Sequence, residues 1–285
     1  ATQPNVKTAT AVVTHGNNST AAFAPGDEVS ILSWNVGYAG LGEESDFFMD
    51  GGKQTRAPSK AIVEKNMDGI VATVQGMAAD FTFLQEIDAG PSTHAYGIEE
   101  AGRMRTETQL DSAHALNYKC AFVPYPIPPI GRVNTGLMTL STAPIASAER
   151  IALPSPFKWP VSVANLKRCL MPVYIDLEGT DAQLVLVNLH LEAYDDGEGK
   201  AAQTAALTSF LEQEYAKGNY VIAGGDFNQT FPGGLDKYPI KNDDLWTPGM
   251  LDDSMLPDGW HFAYDTSAPS CRLDNQPYDA ESEAT

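Results

Sequence analysis

Basic residues are scarce in this chain. Eighteen Lys and Arg stand against 37 Asp and Glu, a formal net charge of −19 over 285 residues, and no basic run occurs. A surface that negative repels a polyphosphate backbone, so a long nucleic acid is a disfavoured partner unless bound cations or a local basic patch offset the field. Cysteine is scarce too. Cys120, Cys169 and Cys271 lie far apart with no CxxC pair, which removes zinc and redox-motif readings and leaves one disulfide or three free thiols open. No run of about 18 apolar residues exists, so no segment reads as membrane-spanning. GxSxG, HExxH and the phosphate-loop pattern GxxxxGK[ST] are absent, and GYAGLG has the wrong spacing for a dinucleotide loop. A glycosidase built on two carboxylates stays open because Asp and Glu are abundant, but nothing specific supports it.

What is present is enough apolar sequence, 43% of the chain, to bury a substantial core. Residues 1–26, rich in Thr, Ala, Ser and Asn and without an initiator Met, read as an N-terminal linker or extension of an exported protein, secreted or at the cell surface. Residues 27–285 read as one α/β domain. EVSILSWNVG and FTFLQEID read as buried strands, and between them Pro58 opens a helix whose Val63, Met67, Ile70, Val74 and Met77 follow helical spacing. A strand with a turn is expected over 134–145, and a strand pair over CLMPVYIDLEG and AQLVLVNLHLEAYDD. A second helix over 200–218 carries Leu207, Phe210 and Leu211 on one side and ends at Gly218, before the strand NYVIAGGDFN. Taken alone, these strand–helix–strand units suggest an ordinary parallel sheet. The long acidic loop 38–57 and the proline-rich 124–130 are expected to rim a substrate site, and 231–285 reads as loop-rich and polar.

Four of these strands end in polar residues: Asn35, Glu86, His190, and the pair Asp226 and Asn228. Each alone has a plain explanation as a turn residue, a solvated terminus or a hydrogen-bonded core histidine. Together they are what an α/β site looks like, because such sites gather where strand ends meet loops. Residues two apart on a strand share a face, so Asn188 goes with His190 and Asp226 with Asn228. Gly224 and Gly225 are expected to let a ligand approach the backbone. Carboxylates, carboxamides and one imidazole without thiolates make a hard-oxygen donor set, suited to Mg²⁺, Mn²⁺ or Ca²⁺ and to metal-assisted phosphoester hydrolysis.

SWNVG, FLQEID, NTGLMTLS, NLHLEAYD and GGDFN, in this order across residues 29–230, resemble the endonuclease/exonuclease/phosphatase superfamily of DNase I-like phosphoesterases. That resemblance implies a four-layer α/β/β/α sandwich of two mixed sheets. It implies a hydrolase, a nuclease or a phosphatase or phosphodiesterase, with Mg as cofactor. Glu86 with Asn35 is implied at the metal, His190, Asp226 and Asn228 at the scissile phosphate and attacking water, and Asn134 and Arg132 at the substrate. The sequence departs from the family pattern in one respect: the Ser-Asp-His motif of its last strand is missing, and His15 and His261 stand in unlike contexts. The expectation is that the C-terminal strand or strands lie beyond residue 285, since loss of acid–base help costs about 10²–10⁴-fold. The rival expectation is a catalytically impaired sandwich acting as a binding module. Among enzymes, the acidic surface favours a small or lipid phosphoester over long DNA.

Overall fold

Strands buried on both faces build this molecule. In a computed structural model of the protein, residues 9–16, 18–155, 167–193, 198–240, 244, 246–272 and 274–279 are described. In chain order the elements are β1 (Thr10–Ala11), β2 (Thr14–His15), β3 (Ile31–Asn35), α1 (Lys60–Met77), β4 (Phe81–Asp88), α2 (Glu100–Thr108), β5 (Asp111–Val123), β6 (Gly131–Ser141), β7 (Ser147–Ala152), β8 (Cys169–Asp176), β9 (Gln183–His190), α3 (Glu198–Ala216), β10 (Tyr220–Asp226), β11 (Gln229–Thr230), α4 (Gly234–Lys237) and β12 (Gly249–Met250). One sheet has the order β1-β7-β8-β9-β10 and the other β2-β5-β6-β4-β3, with β11 and β12 as a separate pair. The pairs β3–β4 and β9–β10 are parallel and their neighbours antiparallel, so both sheets are mixed.

Side-chain alternation sorts the apolar residues into three layers of core. Phe81 and Phe83 of β4 meet Leu184 and Leu186 of β9 between the sheets. Leu84 and Ile87 face outward against Val63, Met67, Ile70 and Val74 of α1. Val185, Val187 and Leu189 face the other way, against Leu207, Phe210 and Leu211 of α3. Helix, sheet, sheet, helix: the architecture is the four-layer sandwich, not a single parallel sheet. α1 starts where Ser59 caps it, its side chain accepting from the Ile62 amide, and it ends in left-handed Ala78. Each fully buried side chain of its inner face contributes about 1.5–3 kcal/mol. Met77, which the helical spacing places on that face, is 62% exposed beyond the sheet's edge.

The N-terminal segment corrects the linker expectation for residues 9–26. β1 pairs with β7 of one sheet and β2 with β5 of the other, so a few residues tie both sheets together. Phe23 then enters the inter-sheet core, 5.3 Å from the Phe81 ring. Two-residue strands carry no periodicity, which is why the sequence conceals them. Residues 1–8 and 17 of the expected linker, and 194–197 at the end of the expected β9 motif, lie outside the described residues. All three cysteines are free, and buried Cys169 donates to Asn117 Oδ1. Among the described residues no helix is long and apolar enough to cross a membrane.

Candidate active site at the carboxyl ends of four strands

The inter-sheet layer turns polar at one end. Along β9, inward positions run Leu184, Leu186, Asn188, His190; along β10 they run Ile222, Gly224, Asp226. Asn188 is fully buried and ties the sheets together, donating to Leu84 O (3.2 Å) and Met138 O (2.9 Å) and accepting from Gln85 Nε2 (2.9 Å). One step further along the strands, beyond this polar tie, lies the site.

Glu86 reaches it through a β-bulge. Gln85 pairs with Leu137 and Ile87 with Gly136, leaving Glu86 as the extra residue of β4. Its φ of 52° is left-handed, a costly conformation for a side chain with a Cβ. The bulge reverses the alternation, so Ile87 joins Leu84 in the helix-side core while the carboxylate turns toward the cavity. A second irregularity, at Asn117 of β5, flanks the same Gly136, whose added Cβ would lie 2.0 Å from Ala115 O.

The polar groups converge tightly. His190 Nε2 lies 3.5 Å from Asp226 Oδ2 and 3.9 Å from Glu86 Oε1. Asn35 Nδ2 donates to Asp226 Oδ2 (2.9 Å), and the Asn228 amide to Asp226 Oδ1 (2.9 Å). Asn228 is also left-handed, φ 50°, and its side-chain Nδ2 donates to Leu191 O at 2.8 Å. Burial, and then the charge of Asp226, push the Glu86 carboxyl up to about 7 against the hydrogen bond from Asn35. Burial, reinforced by Arg168, pulls His190 down to about 3, so its ring is neutral at pH 7. Burial alone would raise Asp226, but His190, Asn35, the Asn228 amide and Arg168 together hold it below the usual carboxylate range. With the His190 ring neutral, the hydrogen bonds from Asn35 and the Asn228 amide and the charge of Arg168 are left to hold Asp226 down.

These side chains border a cavity of about 1110 Å³ together with Tyr38, Phe47 and Met49 of the 38–57 loop and with Phe231, Tyr238, Trp246 and Tyr264. Residues 32–276 match the Endonuclease/Exonuclease/phosphatase family. The chain belongs to that family. Solved structures similar to it include truncated Caenorhabditis elegans TDP2, at 17% identity over 81% of this chain and 67% of that one with a TM-score of 0.48. A selenomethionine form of Caenorhabditis elegans TDP2 is 18% identical over 82% of this chain and 52% of that one, TM-score 0.48. The human Nocturnin catalytic domain with bound sulfate is 15% identical over 71% and 64%, TM-score 0.47. The chain thus spans between half and two thirds of the length of these structures. No curated protein matches it.

Of the residues the family resemblance singles out, the structure brings Asn35, Glu86, His190, Asp226 and Asn228 to this cavity. It does not bring Arg132 and Asn134. On β6, Val133 and Thr135 border the cavity, so strand alternation turns their neighbours away: Arg132 is exposed, and the Asn134 amide lies against Gly90. His15 sits on β2, His261 is exposed, and neither borders the cavity. Of the two glycines, Gly225 borders the cavity, and its φ of 143° and the 2.0 Å separation of an added Cβ from Leu189 O make glycine a requirement of β10 packing there; Gly224 does not border the cavity and lies over the Phe83 ring. Of the proline-rich rim, Ile130 borders the cavity, whereas Tyr125 and Ile127 stand exposed.

Two groups escape a reading of the sequence. Arg168, just before β8, is 4% exposed and borders the cavity; its Nε lies 3.7 Å from Glu192, and Nε and Nη1 make no hydrogen bond. His94 also borders the cavity, with its ring 4.1 Å from that of Tyr38 and its Nε2 held 2.9 Å from buried Asp88 Oδ2. Behind it, Glu100 accepts from the Asp88 amide, and burial followed by the charge of Asp88 raises its carboxyl well above the ordinary value. An arginine ahead of an apolar strand reads as one more scattered charge, and a histidine in a loop of Gly, Pro and Ser carries no spacing signal.

Among the described residues, no group of three or more His, Cys, Asp and Glu side chains is arranged to hold a metal by itself. The donors still fit a hard divalent cation that keeps most of its ligand positions for water and substrate oxygens, as Mg²⁺ does. Two partly buried carboxylates, Glu86 and Asp226, lie close enough for one to raise the other, and a bound cation would relieve that repulsion.

Proposed function

We propose that this member of the family hydrolyses a phosphoester with the help of a divalent cation, Mg²⁺ first, held by Glu86 and Asn35. What carries this reading is the meeting of Glu86 and Asp226 at one neutral imidazole, 3.9 and 3.5 Å from His190 Nε2. A cation bound there would supply Lewis acidity to the phosphoryl group. Asp226, held ionised, accepts a hydrogen bond from the attacking water and orients it. The neutral His190 ring, its hydrogen placed on Nε2 facing the carboxylates, donates a hydrogen bond to a phosphoryl oxygen as negative charge grows there and keeps its proton. The second hydrogen on Asn228 Nδ2 and the uncommitted N–H groups of Arg168 neutralise the same oxygens. The water oxygen bonds to phosphorus as Asp226 takes its proton, and the P–O bond to the leaving alcohol breaks. The leaving oxygen takes its proton from water or from His94, whose orientation Asp88 fixes.

Asn134 and Arg132 have no place in this reading. The test is turnover of a panel of phosphomonoesters and phosphodiesters with Mg²⁺, Mn²⁺ or Ca²⁺, repeated with EDTA. Activity that EDTA abolishes and added cation restores is the expected result; no turnover of any panel member with any of the cations overturns the proposal.

A further inference from the structure

The cavity's charges and its aromatic wall narrow the substrate class beyond the phosphoesterase reading on which this inference rests. Among the described residues, three cationic side chains border the cavity: Lys65, Arg168 and Arg272. Lys65 is committed to Glu43 (3.0 Å) and Glu44 (2.7 Å), and Arg272 to Asp274 (2.6 Å) and to Leu41 and Gly42 carbonyls. Arg168 is the buried cation with donors to spare, and around it the cavity also carries Asp50, Asp226, Asp265 and Asp274. One phosphoryl group finds a counter-charge here, but a second, several ångströms away, would face carboxylates.

The remaining wall is apolar and aromatic, and it begins at the site itself. Phe227, between Asp226 and Asn228, packs edge-on against Phe231 (5.9 Å) and Phe262 (6.5 Å). Phe231 stacks on Tyr264 with centroids 4.8 Å apart and planes 7° from parallel. Phe231 and Tyr264 both border the cavity, and Tyr264 is 42% exposed, an open ring joined to the Asp226 strand end through Phe231 and Phe227. Phe262 packs against Phe231 without bordering the cavity. Tyr38, Phe47 and Met49 border the cavity as well.

We propose that the substrate is a phosphoester with a single phosphoryl group and a flat, apolar substituent, which lies on the Phe231–Tyr264 platform while Arg168 and His190 receive the phosphate. The stacking face explains selection for a planar group, because offset aromatic contact gains beyond area burial. Among the described residues Arg168, already ion-paired with Glu192 at 3.7 Å, is the one cavity guanidinium with N–H groups left for a phosphate, which explains selection against polyphosphates.

Two diesters with the same leaving group isolate the substituent: 4-nitrophenyl phenyl phosphate and 4-nitrophenyl methyl phosphate, each assayed with Mg²⁺. Stacking of one ring on an aromatic side chain predicts a kcat/KM ratio of about tenfold or more in favour of the phenyl ester, expressed in KM. In Tyr264→Ala and in Phe231→Ala that ratio should fall toward one. An equal kcat/KM for both esters, a ratio unmoved by the substitutions, or faster cleavage of an oligonucleotide than of the phenyl ester overturns the platform and leaves the phosphoesterase reading standing. Calorimetric binding of 2-naphthyl phosphate against methyl phosphate tells the two failures apart. Tighter naphthyl binding that Tyr264→Ala weakens supports the platform even if neither diester turns over, an outcome that sinks the enzyme alone. Equal binding of the two overturns the platform directly.

Discussion

The two sides of the cavity are built differently. On one side Asn35, Glu86, His190 and Asp226 stand at the ends of paired strands, braced by the Asn188 tie and by hydrogen bonds at 2.9 Å. On the other, Phe47, Phe231, Tyr238 and Tyr264 come from loops and one short helical turn, with rings partly open to solvent. Chemistry that tolerates errors of only tenths of an ångström sits on rigid elements, and selectivity sits where the chain can vary. Damage to the strand side should therefore stop turnover or unfold the protein, whereas damage to the loop side should alter which ester is preferred.

The sharpest break is at the carboxylates. Glu86→Gln and Asp226→Asn are nearly isosteric and should each lower kcat by about 10³-fold, the scale of losing a preorganised electrostatic group. Circular dichroism and thermal unfolding should show the fold unchanged. Turnover within tenfold of the parent in either variant would remove that residue from the mechanism. Next comes Gly225→Ala, whose methyl would lie 2.0 Å from Leu189 O at φ 143°. It should cost about 3 kcal/mol or more in urea unfolding and displace Asp226 along with β10. A stability within error of the parent would mean that β10 is far more plastic than its packing shows. Asn188→Ala should follow at about 1–3 kcal/mol, because it strands Gln85 Nε2 and two backbone carbonyls in a dry layer. If activity fell with no loss of stability, the tie would be functional rather than architectural.

The smallest effect is a pH dependence away from the site. Burial pulls the His114 ring from 6.5 to about 4, against the hydrogen bond with Ile87 O that favours the charged form. The unfolded chain takes up a proton near pH 6.5 that the folded chain refuses until about pH 4. Stability from the neutral ring is therefore present above 6.5 and lost as pH falls through that window. His114→Gln should flatten this part of the stability curve; parallel curves for parent and variant between pH 7 and 4.5 would show that another group is responsible.

Much of the strand side is legible in the sequence, because strand periodicity and short ordered motifs both point to the same positions. SWN, LQE, NLH and GDFN each deliver a polar residue to the end of an apolar run, and alternation alone predicts that Asn188 and His190 face together. The loop side is hidden for physical reasons. Phe231, Trp246 and Tyr264 are spread through a tail whose average character is polar, and no period links rings that meet only through tertiary folding. Arg168 and His94 are invisible for the same reason: what marks them is burial, which a linear pattern reports only for apolar residues. The two-sheet sandwich is hard to read without the motif resemblance, since strands covered on both faces look continuous rather than alternating. Asn134 and Arg132 show the reverse error, where a motif's neighbourhood is right and the strand's parity places the side chains on the wrong face.

The extra residue in β4 makes chain length, not only residue identity, part of the catalytic design. Removing one residue of β4 ahead of Glu86 would reverse the face taken by every side chain after it and turn the carboxylate away from the cavity, whereas removing Glu86 itself would leave the pairing regular and the carboxylate lost. Natural variants of this protein should accordingly tolerate exchanges along the segment, yet insertions and deletions there should be found only in compensating pairs.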